Sequence, residues 1–414
     1  MYYQINGGKK LFGEVTIGGA KNCLLPLLAV STAIGGKVVL HDCPPMMDVL
    51  NMVALLKKLG AKVCYQDNVA TIDAKDLAYF KVDRQLGGKL RGSVLFLGAL
   101  LGRFKRATVP IRGGCAIGKR PIDIHISAFK KLGVEVEEGD FEVVCNAENA
   151  KGGNVCLPYP SVGATENLLS FAVLTKGRTI LENVAIEPEV IALERFLVQA
   201  GAKIQGIGTN KLIVDGVKTL NSVEFRPIPD RIETATYMVA CCMAQGKITL
   251  HNVCPPHVEC LTKILKGATV DFSKNNLSVE CHQKIKGFQV ETAPYPRFAT
   301  DMQSLALSLS TVAKGQSKVV EKVFENRFFN CGELAKMGAK ITLSGDFATI
   351  LGVDRLQGAT VKCKDLRSGA GLVLAGLNAV GTTKVLDVFH VERGYCNLVK
   401  NLNLLGGEIV EIDD

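Results

Sequence analysis

One short pattern returns six times along the chain: a residue, usually apolar, then glycine, a small or polar residue, and a β-branched one. It reads LGAKV at 59–63, LGVEV at 132–136, AGAKI at 200–204, KGATV at 266–270, MGAKI at 337–341 and LGGEI at 405–409. The glycines Gly60, Gly133, Gly201, Gly267, Gly338 and Gly406 are spaced 66 to 73 residues apart. Each follows an amphipathic stretch such as VLNMVALLKKLG or IALERFLVQAG. That combination predicts a helix ended by a left-handed glycine and followed by a strand. Self-similarity at one period restricts the fold to an array of equivalent units.

A second series runs in register with the first. Strands opening after a glycine or basic turn precede these helices, as in GGKVVLHDCP, KGRTILENVAIEP and QGKITLHNVCPP. Before each such strand comes a stretch that is apolar all round, such as ENLLSFAVLTKG, TATYMVACCMAQG or LVLAGLNAVG. A helix with no polar face has to be buried. The reading is α/β (α+β) with six βαβαββ-like repeats. The sixth stops at Asp414 before its last strands, whereas YYQINGGKKLFGEVTIGGAKN at the start resembles the segments that close the other repeats. The first ~20 residues are therefore expected to complete the last repeat, within the usual boundary error. This gives a domain at 21–229 and a second at 1–20 with 230–414, three repeats in each. Crossings near Ala20 and Pro229 would form a hinge.

Composition narrows the function. A chain of 414 residues with 47% hydrophobic and 21% charged residues has the material for two large cores. Its formal charge of +9 is spread along the chain rather than gathered in a block, which disfavours a nucleic-acid partner. A mild basic excess suits anionic small molecules. The 14 cysteines include no Cys-x-x-Cys pair, which points to a reducing compartment and away from a disulfide framework or zinc site. No apolar run approaches the roughly 18 residues of a membrane span. We expect a cytoplasmic protein with no membrane partner, a monomer or weak homo-oligomer, using no metal or cofactor.

Candidate functional residues fall where strands run into helices. Lys21 and Asn22 open an apolar helix in GGAKNCLLP, and Lys21 opposes that helix's dipole unless an anion lies there. Arg91 in KLRGSVLFLG stands at another helix start. In GGCAIGKRPIDIH, Gly113, Gly118 and Lys119 imitate phosphate-loop spacing, but Arg120 stands where such a loop needs Ser or Thr. The segment reads instead as a glycine-flexible loop carrying Cys115 beside Lys119 and Arg120. Those surroundings expose a thiol and tune its acidity. Pro121 fits the first turn of the following helix.

A two-domain array of six such repeats resembles the enolpyruvyl transferase superfamily, whose fold is a two-domain inside-out α/β barrel. The run from Gly113 through Cys115, Arg120, Pro121 and Asp123 to His125 is similar to the UDP-N-acetylglucosamine 1-carboxyvinyltransferase family. The sister family acting on shikimate 3-phosphate lacks such a cysteine loop. The resemblance implies transfer of an enolpyruvyl group from phosphoenolpyruvate to the 3′-hydroxyl of UDP-N-acetylglucosamine, opening peptidoglycan precursor synthesis. It makes Cys115 the general acid and the target of fosfomycin, and Asp301 in TDMQ the sugar-hydroxyl partner and base. Lys21, Asn22, Arg120, Arg327, Arg367 and Arg393 would bind phosphoenolpyruvate. Arg91, Arg120, Pro121, Ile122, Asp123, Ile124, Asp301 and Val323 would bind the sugar nucleotide, with Ser161, Val162 and Gly163 of PSVGATENLL at its uridine-binding loop. EPE at 187–189 and PDRIET at 229–234 resemble family segments near the site and hinge. Two positions depart from the pattern: Tyr159 stands where many members have lysine, and Arg112 replaces a proline before the cysteine loop.

Overall fold

The computed structural model describes residues 1–111 and 122–413. These separate into two compact units, one of residues 1–18 and 229–413 and the other of residues 19–111 and 122–228. We call the first the discontinuous unit and the second the continuous unit. Each has its own hydrophobic core.

Three buried helices run through each core. In the continuous unit they are α1 (Lys21–Val30), α2 (Phe96–Phe104) and α3 (Val162–Ala172). In the discontinuous unit they are α4 (Arg231–Ala244), α5 (Gln303–Ser310) and α6 (Leu366–Asn378). All eight residues of α5 are buried, serines included, which explains a sequence without an amphipathic stripe. Small residues let these helices approach closely. A Cβ on Gly98 of α2 would lie 1.9 Å from the Asn167 carbonyl oxygen of α3. A Cβ on Gly371 of α6 would lie 2.8 Å from Ser308 Oγ of α5.

Around the helices, the strands among the described residues form six sheets, and five share one four-strand plan. A short strand lies parallel to the strand that follows a buried helix, and two antiparallel strands complete the sheet; in four sheets these two are the second and then the first strand of a hairpin, and in the fifth they are Tyr2–Asn6 and Ile409–Ile412. Thus Val223–Phe225 pairs with Lys37–Leu40, then Val69–Asp73, then Lys62–Gln66. The remaining sheet, on Arg106–Pro110, has three strands, and its parallel neighbour shrinks to a single bridge between Lys81 and Thr108. The six repeat glycines all take positive φ, from 83° at Gly133 to 118° at Gly267, a conformation in which a side chain would be strained.

The N-terminal segment departs from the expectation. Tyr2–Asn6 does complete the sixth repeat, inserted antiparallel between Thr382–Leu386 and Ile409–Ile412. Phe12–Thr16 instead joins the fourth repeat, parallel to Lys247–His251. The reason is cyclic closure. Each sheet takes its parallel strand from the preceding repeat, and Phe12–Thr16, coming after the sixth repeat, supplies the fourth. Val223–Phe225, after the third, likewise supplies the first. Every cysteine among the described residues is free, and among them no helix is long and apolar enough to cross a membrane.

Candidate active site

In the discontinuous unit, a 3-10 turn at Thr300–Met302 leads into α5 and presents Asp301. Its carboxylate meets two guanidinium groups: Arg327 Nη2 donates to Oδ1 at 2.8 Å, and Arg367 Nη2 donates to Oδ2 at 3.0 Å. Both arginines are buried, at 3% and 4% exposure, while the Asp301 side chain stays 25% open. Burial alone would weaken the Arg367 charge. Asp301, Tyr395 and Asp230 outweigh it and hold its pKa above the ordinary arginine value.

Supporting bonds fix this geometry. Arg327 Nη1 donates to Thr300 Oγ1 at 2.6 Å, and Thr300 donates on to Glu321 Oε2 at 2.8 Å. The other Glu321 oxygen accepts from Thr292 Oγ1 and from the backbone N–H groups of Val323 and Phe324. Glu321 therefore sets both an arginine and the backbone of Val323. Arg367 lies in the first turn of α6, where the Asp365 carboxylate caps the N–H groups of Arg367 and Ser368. Arg367 Nη1 reaches the Tyr395 hydroxyl at 3.5 Å, and that hydroxyl pairs with Thr236 of α4 at 2.8 Å. Arg393 follows the short helix Phe389–Glu392 and is half-buried.

In the continuous unit, Lys21 is the first residue of α1, and the N-cap, Ala20, offers no side-chain oxygen. The anion that the dipole argument asks for is internal: Lys21 Nζ lies 2.8 Å from Oδ2 of Asp48, a carboxylate only 1% exposed. Asn22 is half-buried beside it in sequence. Arg91 begins a 3-10 turn at Arg91–Leu95 and donates to the Ile111 carbonyl at 3.3 Å. Asp123 and Ile124 open the helix Asp123–Lys131, with Ile122 buried at its N-cap. Ser161 caps α3, its Oγ accepting from Ala164 N at 3.4 Å, so Val162 and Gly163 form the first turn. Tyr159 is exposed. Cys115, Arg120 and Pro121, with Arg112 and Lys119, lie outside the described residues.

The geometry brings Asp301, Arg327 and Arg367 together, with Val323 tied to the same network. Sequence reading missed Asp48, Thr300, Glu321, Asp365 and Tyr395. Asp365 had a signal, since Asp-x-x-Ser before an apolar run is an N-cap pattern. Asp48 carries no such signal: it stands in the first turn of the helix Met47–Leu59, where an acidic residue is ordinary, and nothing in its neighbourhood points to Lys21. Among the described residues, no cluster of His, Cys, Asp and Glu is arranged to hold a metal ion.

The EPSP synthase (3-phosphoshikimate 1-carboxyvinyltransferase) family profile matches residues 5–402. UDP-N-acetylglucosamine 1-carboxyvinyltransferase 2 of Caldanaerobacter subterraneus subsp. tengcongensis is 42% identical over 99% of both chains. The enzyme of that name from Carboxydothermus hydrogenoformans is 43% identical over 100% of this chain and 99% of its own. Among solved structures, the enolpyruvyl transferase NikO from Streptomyces tendae superposes with a TM-score of 0.90 at 23% identity, covering 99% of this chain and 98% of that one. An EPSP synthase from Acinetobacter baumannii gives a TM-score of 0.74 at 17% identity, with both chains fully covered. These two establish a likeness of fold, a mixed α/β enolpyruvyl transferase architecture. With relatives above 40% identity along nearly its whole length, the chain belongs to the UDP-N-acetylglucosamine 1-carboxyvinyltransferase family, within the enolpyruvyl transferases.

Proposed function

We propose that this enzyme transfers the enolpyruvyl group of phosphoenolpyruvate to the 3′-hydroxyl of UDP-N-acetylglucosamine and releases phosphate. The observation that carries the reading is the pair of buried guanidinium groups on Asp301. Planar forks of this kind hold carboxylates two oxygens at a time, so they suit the carboxylate of phosphoenolpyruvate as well as an internal one. Lys21, Asn22, Arg120 and Arg393 are assigned to its phosphate end. Arg91, the 120–124 segment, Ser161, Val162, Gly163 and Val323 are assigned to the sugar nucleotide.

In this reading the sugar hydroxyl attacks C2 while Cys115 delivers a proton to C3. The hydroxyl proton passes to Asp301, and the tetrahedral adduct then loses phosphate and the C3 proton. Asp301 with both oxygens bound by cations is a weak base. An arriving phosphoenolpyruvate carboxylate competes for the same two arginines, loosens their hold and raises the basicity of Asp301 when the base is needed. Free thiols throughout the described residues fit a cytoplasmic protein, and we assign it no nucleic-acid partner. The test is phosphate release from phosphoenolpyruvate, measured with UDP-N-acetylglucosamine, with shikimate 3-phosphate and without acceptor. Release dependent on the sugar nucleotide supports the reading; release dependent on shikimate 3-phosphate overturns it.

A further inference from the structure

His125 closes the cysteine-loop motif, yet no role falls to it above. It lies in the helix Asp123–Lys131 and is 6% exposed. Its tautomer follows from its neighbour. Asn167 of α3 is fully buried, and its Oδ1 accepts from the Gly98 backbone N–H at 2.8 Å. The amide nitrogen must then face the other way, donating to the Val94 carbonyl at 3.1 Å and to His125 Nδ1 at 3.1 Å. A nitrogen that accepts a hydrogen bond carries no proton, so the proton of the neutral ring sits on Nε2. Burial and the Arg91 charge push the ring's pKa down to about 4, with Asp123 opposing, so it stays neutral at physiological pH.

Nε2–H has no hydrogen-bond partner among the described residues. This edge of the ring faces the first turn of α3: a Cβ added to Gly163 would lie 3.2 Å from Cε1 and 3.4 Å from Nε2. The surroundings favour an anion, since Arg91 is close enough to act on the ring and the N-terminal end of α3 carries partial positive charge. A neutral donor there adds direction without adding another charge.

We propose that His125, held by Asn167 in the Nε2–H tautomer, donates a hydrogen bond to a diphosphate oxygen of the sugar nucleotide. It is thus a specificity-determining residue for that substrate. This rests on the functional reading above, which placed the nucleotide at Ser161–Gly163 without His125. Glycine at 163 leaves this edge of the ring uncovered, because a methyl group there would press on it.

Two substitutions separate this role from a structural one. His125→Gln carries an amide N–H near the Nε2 position and gives up the acceptor for Asn167. His125→Asn keeps a partner for Asn167 and gives up the outward donor. The proposal expects the Asn variant to raise the KM for UDP-N-acetylglucosamine roughly tenfold, the worth of one hydrogen bond, with the KM for phosphoenolpyruvate unchanged. The Gln variant should stay within about threefold of wild type on the same scale. A purely structural histidine gives the reverse order, with Asn benign and Gln impaired, and that result overturns the proposal.

Nitrogen-15 NMR of histidine-labelled wild-type enzyme needs no variant to fold. His125 should show an unprotonated Nδ1, and its Nε2–H proton should move downfield as UDP is added but not as uridine is added. A protonated Nδ1, an equal response to uridine, or an unmoved resonance while calorimetry reports saturation with UDP each overturns it. Failure of UDP and of UDP-N-acetylglucosamine to bind at all sinks the functional reading together with this one.

Discussion

Arg327 and Arg367 hold opposite oxygens of a single carboxylate, that of Asp301, at 2.8 and 3.0 Å. Two buried cations thus share one internal anion. Asp301→Asn removes the charge while keeping the shape, so both guanidinium groups become available to a substrate carboxylate. We expect kcat to fall by about 10²–10⁴, the usual worth of a positioned base. The KM for phosphoenolpyruvate should hold or fall. Steady-state kinetics with each substrate varied checks this, and a variant with wild-type kcat removes Asp301 from the chemistry.

The ion pair between Lys21 and Asp48 is buried, and burying charge costs free energy unless its compensation is retained. Lys21→Met and Asp48→Leu should each destabilise the protein, by about 3–5 kcal/mol on the scale of broken buried pairs. The double variant should recover much of that loss in urea unfolding yet remain inactive. Additive losses would show that the two charges do not depend on each other.

Glu194 offers a pH signature. It is fully buried, and its Oε2 accepts from the Gly208 N–H at 2.9 Å. Burial raises its pKa to about 7 against the opposing effects of that bond and of Arg195. A carboxyl whose folded pKa lies above its unfolded value costs stability as pH rises from about 4.5 to about 7. Glu194→Gln keeps an oxygen for Gly208 and removes that cost. It should gain about 1–3 kcal/mol at pH 8, with the gain vanishing near pH 4. Thermal unfolding across that range checks the sign; a gain independent of pH excludes titration as its source.

Tyr2–Asn6 lies between two strands of its sheet, and Phe12–Thr16 is the parallel strand of another. Deleting residues 1–17 should open strand edges in two sheets of the discontinuous unit and drive aggregation. Soluble yield and size-exclusion profiles test this. A monomeric, cooperatively unfolding deletion variant would contradict it.

Cys115 lies outside the described residues, so its prediction stands on the motif. Cys115→Ser should lose most turnover, since a hydroxyl is a far weaker acid. Cys115→Asp should retain turnover with an optimum at lower pH and resist fosfomycin, a carboxyl being able to donate a proton but a poorer nucleophile. The readouts are pH–rate profiles and mass spectrometry of the 111–122 peptide after fosfomycin. Wild-type turnover in the Ser variant would remove the general-acid role.

Much of this architecture was legible along the chain because its signals are local. A left-handed glycine after an amphipathic helix, as at Gly60 or Gly406, is a property of a few successive residues. So is the polarity of a helix apolar on every side, as in α5, or the Asp365 cap that starts α6. Lys21, Asp301, Arg327 and Arg367 stand out as candidates for the same reason, through short motifs.

Partners were not legible. Nothing near Lys21 announces Asp48, and nothing near Arg327 announces Thr300 or Glu321. The position of Phe12–Thr16 in the fourth repeat rather than the sixth depends on three repeats closing into a cycle. The His125 tautomer depends on an amide 42 residues away whose orientation a Gly98 N–H decides. Which segments become helices, strands and turns can be read along the chain, because dihedral preference, capping and hydrophobic period act over a few residues. Which charge meets which, and which donor is left facing outward, emerges with the folded chain, because those bonds join atoms that chain order does not place together.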